Sequence, residues 1–423
     1  MAGRVGWLLL VVGFVAPVEA NEAAELEAAR LATAAAHYRE LAARGGWEPV
    51  PPGPSLHPGE RSPAVPMIRA RLAATGDVLA GGWAGAAADP ELYDDGLAAS
   101  VRAFQRRHGL ASDGVVGVRT RAAMNVSAGE RAVQLELNRF RVEDETPPAD
   151  RYIRVNLPEF RLQLIEGDHT VLDMPVVVGR RDRRTPLIES AISWVIFNPS
   201  WTVPTKLAYE DLLPRVRRDP AYFTKVGIQV YDGWRSGAQP VDPDWIEWDD
   251  VGIAMKQLKL RQAPGPDNPL GRIKFHMDND HDIYLHDTNH RALMARDRRD
   301  LSSGCIRVGN AEGLARELLR DQPSWPPERI DRVLATRETV RVPLRRPVPV
   351  RFVYQTAWVD AQQTVHFRED IYGVDARQVA DLAAERRAAV PGAASAPVPA
   401  AVSAAAPAPL GGQGASVVSP PAP

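Results

Sequence analysis

Two short stretches decide the reading of this chain: Tyr284-Leu285-His286-Asp287-Thr288 and, after a loop, Leu301-Ser302-Ser303-Gly304-Cys305-Ile306-Arg307-Val308. Cys305 is the single cysteine in 423 residues, so it forms no disulfide within the chain. A thiol near its ordinary pKa of about 8.5 is mostly protonated at neutral pH. A neighbouring imidazole can take that proton and hold the thiolate as an ion pair. His286 ends an apolar strand segment nineteen residues before Cys305. That separation accommodates a strand end, a return loop and a turn. Gly304 has no Cβ, which permits an unusual φ and the close approach of a substrate carbonyl. The N–H groups of Gly304 and Cys305 are candidate oxyanion donors. Arg307, two residues beyond Cys305, projects to the same face of a strand and suits a carboxylate. His276, His281 and His290 lie nearby but read as strand, turn and loop residues with structural roles.

Outward from this core, the second half of the chain reads as strands. Tyr152 to Asn156, Phe160 to Ile165 and Val171 to Val178 alternate, with a hairpin turn at Gly167-Asp168. Ile192 to Phe197, Ile273 to Met277, Ile283 to His286 and Val350 to Ala357 continue the series. Short strands joined by turns predict a β-sandwich or a related mainly-β fold. The rhythm breaks between Lys206 and Gln262, a polar stretch carrying Trp234, Trp245 and Trp248. An insertion of this length in a compact domain reads as a lid or binding element.

The first half is helical. Residues 1–20 read as a signal peptide: Arg4 opens it, an apolar run from Val5 to Val15 follows, and Val18-Glu19-Ala20 offers a cleavage site. That run is short for a membrane span, which needs about 20 residues. Ala24, Ala28, Leu31, Ala34, Tyr38 and Leu41 recur at helical spacing, and Gly45-Gly46 stops the helix. Helices are also expected over Val65–Ala74, Leu97–His108 and Val118–Met124, with a longer loop from Gly85 to Asp95. Residues 388–423 are almost all Ala, Pro, Gly, Ser and Val with no charge, a composition that cannot build a packed core. The net charge is −2 without a long basic block, which argues against a nucleic-acid partner.

Two families are resembled. The run Ala103-Phe104-Gln105-Arg106-Arg107-His108-Gly109-Leu110, with Asp113 to Gly117 and Thr120, resembles a three-helix peptidoglycan-binding domain. His286 with Ser303-Gly304-Cys305 and Arg307 resembles the signature of the L,D-transpeptidase catalytic domain, also called YkuD. The Ser-Ser-Gly-Cys form is similar to the larger YcbB-like branch. Phe197 to Thr205, Pro264 to Gly271 and Thr356 to Asp360 carry the same resemblance. It implies a multidomain α+β chain. Signal peptide 1–20 precedes a helical scaffold segment at 21–55, a peptidoglycan-binding-like domain at 56–127 and a scaffold or linker at 128–150. A mainly-β catalytic domain at 151–345 contains a capping insertion at 206–262. A strand and helix at 346–387 complete the unit before a disordered tail at 388–423.

The resemblance also implies the chemistry. Cys305 attacks the carbonyl between the third and fourth residues of a peptidoglycan stem, with His286 as base. Ser303, Gly304, Arg307 and Tyr284 bind the oxyanion and substrate. The stem's terminal D-Ala leaves, and the amine of a second stem resolves the thioester as a 3–3 cross-link. No metal or organic cofactor is implied. Carbapenems are implied as acylating inhibitors, the periplasm as the location, and other cell-wall synthesis proteins as partners. Water as the acceptor would give an L,D-carboxypeptidase, and a protein amine would give envelope-protein attachment. A non-catalytic scaffold fits poorly, since His286 and Cys305 are both present. A papain-like peptidase places its cysteine ahead of its histidine, the reverse of the order here.

Overall fold

The computed structural model describes residues 18–79, 89–143 and 149–388. The expected signal peptide up to residue 17, part of the Gly85–Asp95 loop, linker residues 144–148 and the tail beyond 388 lie outside the described residues. Five helices come first: α1 (Val18–Ala43), α2 (Val65–Ala74), α3 (Asp95–Arg107), α4 (Val118–Asn125) and α5 (Ala128–Glu143). Of the helical spacing read in α1, Ala28, Leu31 and Tyr38 are buried against Ala132, Leu135 and Val142 of α5, with Ala35 buried in place of the half-buried Ala34. Asp94 caps α3 by accepting from the Leu97 N–H at 2.7 Å. Helix α5 opens on a capping box: the Glu130 N–H donates to Ser127 Oγ, and the Ser127 N–H donates back to Glu130 Oε2.

Helices α2 to α4 surround a separate core containing Val65, Ile68, Leu72, Val101, Phe104 and Met124. Gln105 ties this unit together. Its Nε2 donates to Asp113 Oδ1, the Val115 carbonyl and Thr120 Oγ1, while its Oε1 accepts from the Gly114 N–H. The helix–turn–helix pattern read in sequence is thus one hydrogen-bonded cluster.

The strands are β1 (Arg151–Asn156), β2 (Arg161–Glu166), β3 (His169–Gly179), β4 (Glu189–Phe197), β5 (Trp201–Thr202), β6 (Ile228–Tyr231), β7 (Pro240–Val241) and β8 (Lys259–Gln262). They continue with β9 (Ile273–Met277), β10 (Leu285–His286), β11 (Asp300–Ser302), β12 (Ile306–Val308), β13 (Val340–Val353), β14 (Ala357–Val359) and β15 (Val365–Phe367). Of the two expectations, a sandwich or a related mainly-β fold, the strands form the second, a sheet that closes on itself. Its order is β3-β12-β10-β9-β4-β13-β1-β2, and β2 pairs again with β3. Closure removes exposed edges, which is how such sheets avoid unpaired backbone. β11 adds to β3 outside the ring. The inner face is the main core, including Val155, Leu164, Val195, Phe275, Leu285 and Ile306. Helices Ala311–Leu319 and Pro327–Ala335 bury Leu314, Leu318, Ile330 and Leu334 in that core.

The insertion is less irregular than its sequence suggests. Together with β5, which lies just before it, it forms a four-stranded sheet, β5-β8-β6-β7, around Val216, Phe223, Val230, Trp248 and Leu260. Trp248 is buried, whereas Trp234 and Trp245 are exposed. Two of the quoted motifs form its base. Asn198 Nδ2 donates to the carbonyls of Val333, Thr336 and Glu338. Asn268 Nδ2 donates to the carbonyls of Pro199 and Ala263. The C-terminal pair β14–β15 returns to the N-terminal helices, where Ala357, Val359 and Phe367 join the α1–α5 core. No helix among the described residues is long and apolar enough to cross a membrane.

Candidate active site

Strands β10 and β12 run parallel, with Leu285 beside Ile306 and His286 beside Arg307. Leu285 and Ile306 point into the main core. Alternation therefore turns Tyr284, His286, Cys305 and Arg307 to the opposite face. There they line a cleft of about 390 Å³ with Ser303 and Gly304, so all six residues singled out in sequence meet at one place. Pro204, Lys206 and Leu207 of the insertion form another wall. Tyr284 packs against both the main core and the insertion core, and so joins the two.

His286 is 4% exposed. Its Nδ1 lies 2.5 Å from the Asp287 carbonyl oxygen. A carbonyl only accepts, so Nδ1 carries the proton and Nε2 is left as a base. Asp287 is itself pinned. Its N–H donates to the Ile273 carbonyl, and its carboxylate accepts from the Arg272 N–H and from Arg291. Gly271, at φ +60°, leaves room for that carboxylate. Burial, then the positive charge of Arg307, lowers the imidazole pKa to about 3.

Cys305 sits beside Asp282, whose carbonyl is 3.9 Å from Sγ. Asp282 adopts φ +54°, a left-handed conformation that a non-glycine residue rarely takes. Burial pushes the thiol pKa up; the Tyr284 N–H, Lys274, Arg307 and the Tyr284 hydroxyl oppose it by favouring the thiolate. Both shifts favour the uncharged forms, a neutral thiol and a neutral imidazole. The ion pair expected from sequence is disfavoured because burial penalises both charged forms.

Gly304 has φ +122°, and a Cβ there would lie 3.2 Å from Ile283 Cδ1, so glycine is required. One expected oxyanion donor is corrected. The Gly304 N–H is engaged by Ser302 Oγ at 3.1 Å, and Ser302 Oγ donates onward to the Cys305 carbonyl at 2.7 Å. The Cys305 N–H remains as the available donor of the two. Ser303 Oγ accepts from Arg183 at 3.2 Å. Arg183 also makes a two-pronged bond to Asp211, 2.6 Å on each side, and pairs with Glu210 at 2.7 Å. The Ser303–Cys305 loop and the insertion are thereby tied through one guanidinium.

Arg307 is 3% exposed, and no carboxylate among the described residues pairs with it. Its Nε is buried without an acceptor. Burial lowers its pKa to about 10. A surface salt bridge is thus excluded, and an unpaired buried cation faces a cleft that can hold an anion. Lys274 was not legible as a site residue. It pairs in register with His286 from β9 and places Nζ 3.6 Å from the centre of the Tyr284 ring. Its alternating strand position was the one signal available. Of the other histidines, His276 pairs with exposed Asp278. His281, read from sequence as a turn residue with a structural role, reaches the cleft wall.

Residues 150–335 match the family model described as "L,D-transpeptidase catalytic domain" (YkuD). Residues 150–335 thus carry an L,D-transpeptidase (YkuD) catalytic domain. Residues 61–124 match the model described as "Putative peptidoglycan binding domain". A Haemophilus influenzae protein named "Putative L,D-transpeptidase" is 40% identical over 227 residues, which is 54% of this chain and 45% of that protein. The match thus spans under half the length of that curated relative. Among solved structures, the L,D-transpeptidase (residues 123–326) from Xylanimonas cellulosilytica is 16% identical, with a TM-score of 0.22 over 72% of this chain and 99% of its own. An L,D-transpeptidase from Stackebrandtia nassauensis is 11% identical, with a TM-score of 0.24 over 70% of this chain and 94% of its own. At these scores the solved structures add no weight to the assignment of the L,D-transpeptidase domain.

Proposed function

We propose that this chain is a peptidoglycan L,D-transpeptidase that forms 3–3 cross-links through a thioester on Cys305. The observation that carries the reading is the shared cleft wall, where His286 ends β10 and Cys305 immediately precedes the parallel strand β12, with His286 Nδ1–H spent on the Asp287 carbonyl and Nε2 left as base. His286 Nε2 takes the thiol proton as sulfur attacks the carbonyl joining the third and fourth residues of a stem tetrapeptide. The Cys305 N–H stabilises the oxyanion. The imidazolium returns the proton to the departing amine, so free D-Ala leaves and a thioester remains. An amine of a second stem's diaminopimelate then attacks the thioester and gives its proton to His286. Sulfur leaves as the thiol, and the new amide is the cross-link.

Arg307 receives a carboxylate of the donor stem, Tyr284 lines the donor pocket, and the insertion covers it. The domain at 61–124 supports contact with peptidoglycan. An extracytoplasmic location follows, with residues 1–20 as export signal. Carbapenems acylate the same thiol, since their strained ring presents an equivalent carbonyl.

The test is to incubate the purified chain with tetrapeptide muropeptides and read the products by mass spectrometry. Dimers linked 3–3 with release of D-Ala are expected. Tripeptide monomers alone would replace the transferase with a carboxypeptidase, and unchanged tetrapeptide would refute both.

A further inference from the structure

The nucleophile loop is held from below by a residue with no assigned role. Thr185 lies in the turn between β3 and β4 and is 2% exposed. Its hydroxyl has one proton, donated to the Gly304 carbonyl at 2.7 Å, and it accepts from the Gly179 N–H at 2.9 Å. Gly179 permits this turn to fold back, because a Cβ there would collide with the Arg183 carbonyl and the Thr185 nitrogen. The Thr185 N–H donates to the Tyr372 hydroxyl at 3.3 Å, and that hydroxyl donates to the Gly179 carbonyl at 2.5 Å. The Tyr372 N–H in turn donates to the Tyr354 hydroxyl, which donates to Asp370. Tyr354 and Tyr372 lie beyond the matched catalytic region, which ends at 335.

The consequence comes from peptide geometry. In a planar trans peptide the C=O and the following N–H point in opposite directions. Thr185 draws the Gly304 carbonyl inward, so the Cys305 N–H is aimed the other way. Gly304 sits at φ +122°, and a glycine backbone resists rotation of that peptide only weakly. Ser302 fixes the flanking Gly304 N–H and Cys305 carbonyl, but neither bond touches the Gly304–Cys305 peptide itself.

We propose that Thr185 is a positioning residue that orients the Gly304–Cys305 peptide, so that the Cys305 N–H is presented to the oxyanion, and that Tyr372 holds Thr185 in place. This rests on Cys305 being the nucleophile. It gives the C-terminal segment a part in catalysis that never touches substrate.

The test compares full-length wild type with Thr185→Val, Thr185→Ser and Tyr372→Phe. Three readouts are needed: kcat and KM for tetrapeptide turnover, the rate of Cys305 alkylation by iodoacetamide, and Tm. Alkylation forms no oxyanion and so does not need the N–H. Losing one oxyanion donor costs about 10²–10³ in rate, and a displaced donor should cost somewhat less, so Thr185→Val should lower kcat by about 30–100-fold. KM and alkylation should stay within about twofold, and Thr185→Ser should recover most of the loss. Tyr372→Phe, which keeps its packed ring, should lower kcat in the same selective way by a smaller factor. A folded Thr185→Val with unchanged kcat overturns the proposal, as does a loss shared equally by alkylation. If Thr185→Val does not fold, Tyr372→Phe decides by the same criteria. A wild-type enzyme that neither turns over nor alkylates at Cys305 refutes the nucleophile reading itself, and this proposal with it.

Discussion

Acidification separates a neutral catalytic pair from a charged one. The His286 imidazole is lowered to about 3, chiefly by burial and next by Arg307, with the Asp287 carbonyl opposing. At pH 5 about 99% of such an imidazole is still neutral, against about 3% for an ordinary histidine at 6.5. The acylation rate per folded enzyme should therefore change by less than about twofold between pH 7.5 and pH 5, where an ordinary base would lose about 30-fold. Stability moves with a definite sign. Below about 6.5 the unfolded histidine takes up a proton that the folded one refuses until about 3, so stability falls as pH falls through this window. His286 alone costs about 2 kcal/mol at pH 5. His108, held well below its ordinary value by burial first and then Arg107 and Arg131, pushes the same way. Stopped-flow acylation by a carbapenem, run well below the Tm measured at each pH, reads the rate. An inflection near 6.5 with a tenfold or greater fall at pH 5 would refute the neutral pair.

Alkylation of Cys305 by iodoacetamide should still be rising at pH 9, because burial pushes the thiol above its ordinary value; a plateau by pH 8 would contradict this. Gly304→Ala adds a Cβ at φ +122° and 3.2 Å from Ile283 Cδ1. It should cost about 1–3 kcal/mol by denaturant unfolding and at least tenfold in kcat. Arg307→Met removes a buried cation that has no partner, so Tm should hold or rise while KM increases at least tenfold. A fall in Tm at constant KM would sink the carboxylate role. Asp211→Asn weakens the Arg183 clamp, so amide exchange over 206–218 should quicken and kcat fall, with unchanged exchange as the contrary result.

Much of this architecture was written locally. Alternation marked β1 to β4 and β9, because each strand buries one face, and the Gly167-Asp168 turn fell where β2 meets β3. The quoted Gln105, Asp113 and Thr120 proved to be one hydrogen-bonded cluster. Closure of the sheet was not legible, since it depends on β2 meeting β3 and β3 meeting β12 far along the chain. The first half of β13, Arg341 to Pro349, alternates only with arginines and prolines and lacks an obvious strand signature. Helix α5 could have been found from its Ser127-to-Glu130 capping box. In the site, Cys305, His286 and Arg307 announced themselves by residue type. The orienting partner of His286 did not, because a backbone carbonyl leaves no trace in composition. Thr185, Arg183 and Tyr372 act across more than one hundred residues or from outside the recognisable domain, so no local pattern exposes them.

The central claim is a thioester on Cys305, and intact-protein mass after rapid quenching with a tetrapeptide donor tests it most directly. The wild-type chain should gain the mass of the donor less D-Ala, the adduct should map to Cys305 and vanish with a second stem's amine, and a folded Cys305→Ala should gain nothing. Cross-linked product from Cys305→Ala, or turnover with the adduct on another residue, would contradict the account.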